Sequence, residues 1–170
     1  WTLSLIEGGT EIKNYAVQCI PQLIKKDRSE VETRKEAILE IIQESLKSDD
    51  SYSFSTGLEI FNELNKIMPE FAAEAWRDII GCIIEYNIIE NSFANDDSGF
   101  CERVVIPAFK SISNVAKYIE VNEENMEIID YIGSLIDLFI NSQIPTVVSS
   151  VSSLLLSMTY INKGDNEHFS

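Results

Sequence analysis

Helix-forming stripes follow one another along this chain with almost nothing between them, and that succession constrains the fold more than any single motif does. Cys19-Ile20-Pro21-Gln22-Leu23-Ile24 is followed by a short charged turn and then by Arg34-Lys35-Glu36-Ala37-Ile38-Leu39-Glu40-Ile41-Ile42. Apolar residues recur at spacings of three and four, the period of an amphipathic helix. A two-helix unit of this kind leaves an apolar stripe that it cannot bury alone. Repeated, such units stack into an α-solenoid, whose product is surface and not a reaction centre.

The pattern can be followed from end to end. Trp1 to Ile6 reads as the end of a helix closed by Gly8-Gly9, and Thr10 can cap the next, which carries Pro21 inside it. Ser29-Glu30-Val31-Glu32 has the form of a capping box. It opens a helix with Ala37, Ile38, Ile41, Ile42 and Leu46 on one face. After the break at Ser48-Asp49-Asp50-Ser51, Leu58, Phe61, Leu64, Ile67 and Met68 mark a third helix that ends near Pro69.

A fourth helix has a wide apolar face made by Phe71, Ala72, Ala75, Trp76, Ile79, Ile80, Ile83 and Ile84. Isoleucine richness would also suit a strand, but the spacing and length predict a helix. The polar run Asn91 to Gly99 predicts a loop, either a connector or a hinge or contact segment. A fifth helix, bent at Pro107, carries Val104, Val105, Ala108, Phe109 and Ile112; Asn122 can cap a sixth; Pro145 suits the first turn of a seventh.

The expected fold is therefore all-α: a right-handed α-solenoid of antiparallel helix pairs, about seven to eight helices with a period of roughly 40 residues. Ile-Pro recurs at Ile20-Pro21, Ile106-Pro107 and Ile144-Pro145, gaps near two periods and one. Residues 1–162 read as one helical-repeat segment of a longer array, and residues 163–170 as a polar tail or the start of a linker. Trp1 opens a pattern that is already helical, which fits a segment better than a complete start.

Charge and cysteine usage narrow the class of function. The chain has 13 Lys+Arg against 28 Asp+Glu, a net charge of -15. Its average field repels a phosphate backbone, so direct nucleic-acid binding is not expected. It favours a cationic partner, or it simply keeps the chain soluble. Cys19, Cys82 and Cys101 lie far apart with no C-x-x-C, and His168 is the single histidine. That leaves no metal set and reads as buried thiols in a reducing compartment, cytoplasm or nucleus. The stretch from Leu138 to Asn162 has no charged residue, but its serines, Asn141, Gln143 and Pro145 argue for a buried helix and against a membrane span.

In Pro21, Asp27, Val31, Arg34 and Ala37, with Ile41 continuing the apolar line, the first unit resembles a HEAT repeat of the armadillo-like solenoid class. The arginine stands three residues after Val31, where the family has it next to the valine. The resemblance implies that Pro21 bends the first helix and that Asp27 and Arg34 brace adjacent repeats, with Ala37 as the small residue of the second helix. The run Gly57-Leu58-Glu59-Ile60-Phe61-Asn62-Glu63-Leu64 and the acidic balance resemble segments of karyopherin-β transport receptors, acidic solenoids that wrap basic localisation signals and the small GTPase Ran. Phosphatase scaffolds and assembly-chaperone solenoids share the same outline.

No catalytic pattern interrupts the helices. There is no P-loop, no Gly-rich phosphate cradle and no nucleophile elbow, and one histidine makes a His-based triad unpromising. No cofactor is expected, and the chain reads as a non-catalytic scaffold for protein–protein interaction. The alternative is an autonomous helical-bundle subunit with a regulatory or scaffold role. Two groups of residues are candidates for partner binding. Glu120, Glu123, Glu124, Glu127 and Asp130 cluster at one helix start, with no basic residue between Lys117 and Lys163. They either complement the helix dipole or form an anionic patch for a Lys/Arg-rich peptide. Trp76, beside Arg77 and Asp78, is either core or an exposed anchor for a partner.

Overall fold

The three-and-four spacing of the apolar residues is realised as helix throughout. The computed structural model describes residues 10–26, 28–94 and 98–160, and among them every regular element is helical, with no strand. The helix end expected at Trp1 to Ile6, the brace at Asp27 and the polar tail all lie outside the described residues.

Helix α1 (Thr10–Lys26) contains the buried Pro21. Helices α2 (Arg28–Thr33) and α3 (Lys35–Leu46) are nearly continuous. The backbone leaves helical geometry only at Arg34, at φ -114 and ψ 22, and the Ile38 N–H still donates to Arg34 O at 3.0 Å. Ser29 lies inside α2, where its carbonyl accepts from Thr33 Oγ1 at 2.9 Å, so it is not the cap that its sequence context predicts. The Arg34 side chain, at the break, pairs with Glu30 four residues back on α2. Ala37 faces solvent, and the buried line of α3 is Ile38, Ile41, Ile42 and Leu46.

Helix α4 (Ser51–Ile67) starts at Asp50, whose carboxylate accepts the Ser53 N–H at 2.8 Å and so satisfies one of the free amides of the first turn. Pro69, which has no N–H to carry a helix onward, stops α4 and opens α5 (Pro69–Tyr86). Asn87 closes α5 in the left-handed region at φ 52. The predicted loop is then shorter than its polarity suggests. Residues 91–94 belong to α6 (Ile88–Ala94), and α7 (Ser98–Phe100) starts just beyond. Asn91 and Ser92 are absorbed because their side chains donate to the carbonyls of Tyr86 and Ile89.

Pro107 leaves its mark on the turn ahead of it. Residues Cys101–Val105 form a widened turn in which the Ile106 N–H reaches back five residues to Cys101 O, and α8 (Ile106–Val115) follows. A proline ring crowds the preceding turn, and widening relieves the clash. After tight turns at Ala116–Tyr118 and Glu123–Asn125 come α9 (Met126–Phe139) and α10 (Pro145–Met158). Asn122 caps the second tight turn, accepting the Asn125 N–H at 3.0 Å. The charge-free stretch that begins at Leu138 is divided between α9 and α10, and no described helix is long and apolar enough to cross a membrane.

Packing follows a simple order. Helix α4 lies against α1 and α8, and α8 lies in turn against α10; α3 touches α5, and α5 touches α9. The two series α1-α4-α8-α10 and α3-α5-α9 press on each other through α3 on α4, α5 on α4 and α8, and α9 on α10. One continuous core runs between them, with Phe54, Phe61, Phe71, Phe100 and Phe109 fully buried. Each such ring contributes roughly 1.5–3 kcal/mol by leaving water.

Candidate functional site

The solvent side of the α3-α5-α9 series is acidic along its whole length. Helix α3 exposes Glu36, Glu40 and Glu44; α5 exposes Glu70, Glu74, Asp78 and Glu85; α9 exposes Glu127, Asp130 and Asp137. Spacings of three, four and seven residues put each set on one stripe of its helix. The cations within these three helices are Lys35 and Arg77, and each is paired with a carboxylate from a neighbouring element. Lys35 Nζ lies 2.7 Å from Glu74, joining α3 to α5. Arg77 Nη1 lies 3.0 Å from Glu124 Oε1, joining α5 to the turn before α9. Gln43 adds a weaker link from α3 to Asp78 at 3.3 Å.

The other series carries the opposite tendency. Lys25 on α1, Lys66 on α4, Lys110 on α8 and Lys117 beyond it are exposed; Glu59 and Glu63 on α4 partly offset them, and α10 has no charged residue. The molecule is thus polarised, with its negative potential concentrated on one helical series.

All five acidic residues singled out from the sequence are exposed. Glu120, Glu123 and Glu124 precede α9 or sit in its leading turn, while Glu127 and Asp130 are on the helix. The turn is held from beneath by Asn125, only 1% exposed, whose Nδ2 donates to Glu120 O at 2.9 Å. Trp76 is half-buried, one part packed against the core, and the Arg77 guanidinium lies 4.6 Å from its ring centre. Arg77 also holds Glu124, so the structure brings the two sequence candidates, Trp76 and the acids before α9, into one cluster. The stripes of α3 and α5 were not anticipated. Their signal was present as Glu36-Glu40-Glu44 and Glu70-Glu74-Asp78, carboxylates repeating at the helical period.

A cleft of about 390 Å³ beside the start of α4 is lined by Glu44, Ser48, Asp50, Ser53 and Thr56. The Ser53 N–H and hydroxyl hold the Asp50 carboxyl below its usual range, which makes it a poor base for a serine. Burial, and then the nearby Glu85 charge, push the Cys82 thiol up, so it resists ionising to the reactive thiolate. Cys82 is buried and Cys101 half-buried, whereas Cys19, expected inside, is exposed on α1.

No protein-family model, curated protein or solved structure matches the chain.

Proposed function

We propose that this chain is a non-catalytic protein-binding array, a right-handed α-solenoid of HEAT-like helix pairs whose acidic side receives a basic partner protein or a Lys/Arg-rich peptide. The observation that carries the reading is the unbroken run of exposed carboxylates across α3, α5 and α9, against two cations that are both already paired. A field of one sign over three adjacent helices steers a cationic chain and selects against anionic ones. The ordering of contacts supports the solenoid, because each helix of a series meets the next member of its own series, and across the series α3 meets α4, α5 meets α4 and α8, and α9 meets α10. A nuclear or cytoplasmic setting, in protein transport or as a scaffold, is the role this reading implies.

The test is titration of a Lys/Arg-rich peptide against the chain and against the triple variant Glu123→Lys, Glu127→Lys, Asp130→Lys. These side chains are exposed, so the variant should keep its helical signal and melting temperature. Affinity should fall by at least about tenfold, and binding by the parent chain should weaken steeply as salt rises. Equal affinity for the two proteins would reject the reading.

A further inference from the structure

We propose that Trp76 and Glu124 form a seat for an arginine guanidinium, filled in the free protein by Arg77 and vacated when an arginine from a partner takes its place. The proposal rests on the reading of this surface as a site for a basic partner; it adds which cation is preferred and what competes for the site.

The geometry is that of a guanidinium receptor. Arg77 Cζ lies 4.6 Å from the Trp76 ring centre, and Nη1 is 3.0 Å from Glu124 Oε1. A guanidinium is planar and weakly hydrated. It can cover an aromatic face while its edge donates to a carboxylate, which a compact lysine ammonium cannot do equally well. The walls of the seat are braced separately. Trp76 is wedged against the core on α5, and Glu124 sits on the tight turn pinned by Asn122 and the buried Asn125.

The contact between occupant and wall is open to solvent on both sides. The Arg77 side chain is 51% exposed and that of Glu124 is 71% exposed. Exposed ion pairs and exposed cation–π contacts are each weak, so an incoming arginine replaces like with like at little cost. Around the seat, Glu70, Glu74, Asp78, Glu123 and Glu127 are exposed and add attraction for a cationic chain. Arg77 therefore acts as an internal competitor.

The experiment uses Trp76 as reporter in a Trp1→Phe background, where it is the remaining indole of the two in the chain. An Arg-Gly repeat peptide and a matched Lys-Gly peptide are titrated while Trp76 emission is followed. Arg77→Gln should tighten binding of the arginine peptide by about three- to tenfold, the size expected for removing a weak competitor. Lys35→Gln removes the same charge from the same face and reports the effect of the field alone. Its gain should be smaller for the arginine peptide and equal to that of Arg77→Gln for the lysine peptide. Trp76→Phe, which keeps a packed ring but removes the reporter, is titrated by calorimetry and should reduce the preference for arginine.

Equal gains from Arg77→Gln and Lys35→Gln, or no preference for arginine over lysine, would overturn the seat while leaving the acidic surface standing. Failure of both peptides to bind the parent chain and Arg77→Gln would overturn the seat and the reading beneath it.

Discussion

Asn62 on α4 and Asn114 on α8 are joined by a hydrogen bond of 2.8 Å from Asn114 Nδ2 to Asn62 Oδ1, at the contact between two neighbouring helices of one series. Asn62 is only 3% exposed, and its own Nδ2 donates to Pro107 O at 3.1 Å. Ser111 Oγ lies 3.1 Å from Asn62 Oδ1 and 3.0 Å from Pro107 O, so its one proton serves either acceptor. A buried carboxamide satisfied in this way fixes the register of α4 on α8. Asn62→Ala should cost about 1–3 kcal/mol, since it strips partners from groups that stay inside. In urea unfolding, Asn62→Ala and Asn114→Ala should couple by about 0.5 kcal/mol or more. Strict additivity would show that the pair does not act as a unit.

Helix α3 approaches α4 at Gly57, where an added Cβ would stand 3.0 Å from Leu46 Cγ and 3.0 Å from Ser45 Cβ. Intrinsic propensity favours alanine over glycine in a helix by about 1 kcal/mol, yet overpacking there costs about 1–3 kcal/mol. Gly57→Ala should therefore destabilise the fold. At Gly81 and Gly133 nothing lies within 4 Å of an added Cβ, and propensity acts alone. Gly81→Ala and Gly133→Ala should each stabilise by about 0.5–1 kcal/mol. Melting temperatures of the three variants test the contrast; three shifts of one sign would contradict it.

What the sequence disclosed, and what it hid, follows from the range of the interactions. The stripes of α4, α5, α9 and α10 were legible because apolar periodicity is local. So were the stop at Pro69, the start at Pro145 and the acids from Glu120 to Asp130. The break at Arg34 and the helix that absorbs Asn91 and Ser92 were not, because both depend on backbone carbonyls finding partners. Trp76 and Glu124 are 48 positions apart, and only the contact of α5 with α9 brings them together. Asn62 fell on the apolar face, four residues after Leu58, but nothing local showed that Asn114 and Pro107 would satisfy it.

Asp50 anchors the start of α4 through the Ser53 N–H. Asp50→Ala should lower stability by about 1 kcal/mol at neutral pH. The hydrogen bonds from Ser53 depress the folded-state pKa below the unfolded value. The contribution is therefore present above about pH 4 and is lost as pH falls through the depressed value. Urea melts should show parent and variant well apart at pH 7 and converging as the solution is acidified. A gap that widened in acid would have the wrong sign for a depressed carboxyl.

Tyr131 ties α9 to the end of α5. Its hydroxyl accepts the Ile88 N–H at 3.1 Å and lies 3.4 Å from Ile83 O, to which it can donate. Both groups flank the left-handed turn at Asn87, where the helical ladder is interrupted. Tyr131→Phe should cost about 0.5–1.5 kcal/mol, the net contribution of such a bond. Burial pushes the Tyr131 phenol up to about 12, against an ordinary value of 10.0. Above the ordinary value the unfolded chain loses this proton while the folded chain keeps it, so ionisation favours unfolding. The contribution of Tyr131 is fully present below that value and disappears as pH rises through about 12. Tyr86, also raised by burial and then by Asp50, is common to parent and variant and cancels in the comparison. The stability gap between the parent and Tyr131→Phe should accordingly hold from pH 7 to pH 9 and narrow at pH 11, and a gap that stayed constant would mean that Tyr131 titrates alike in both states.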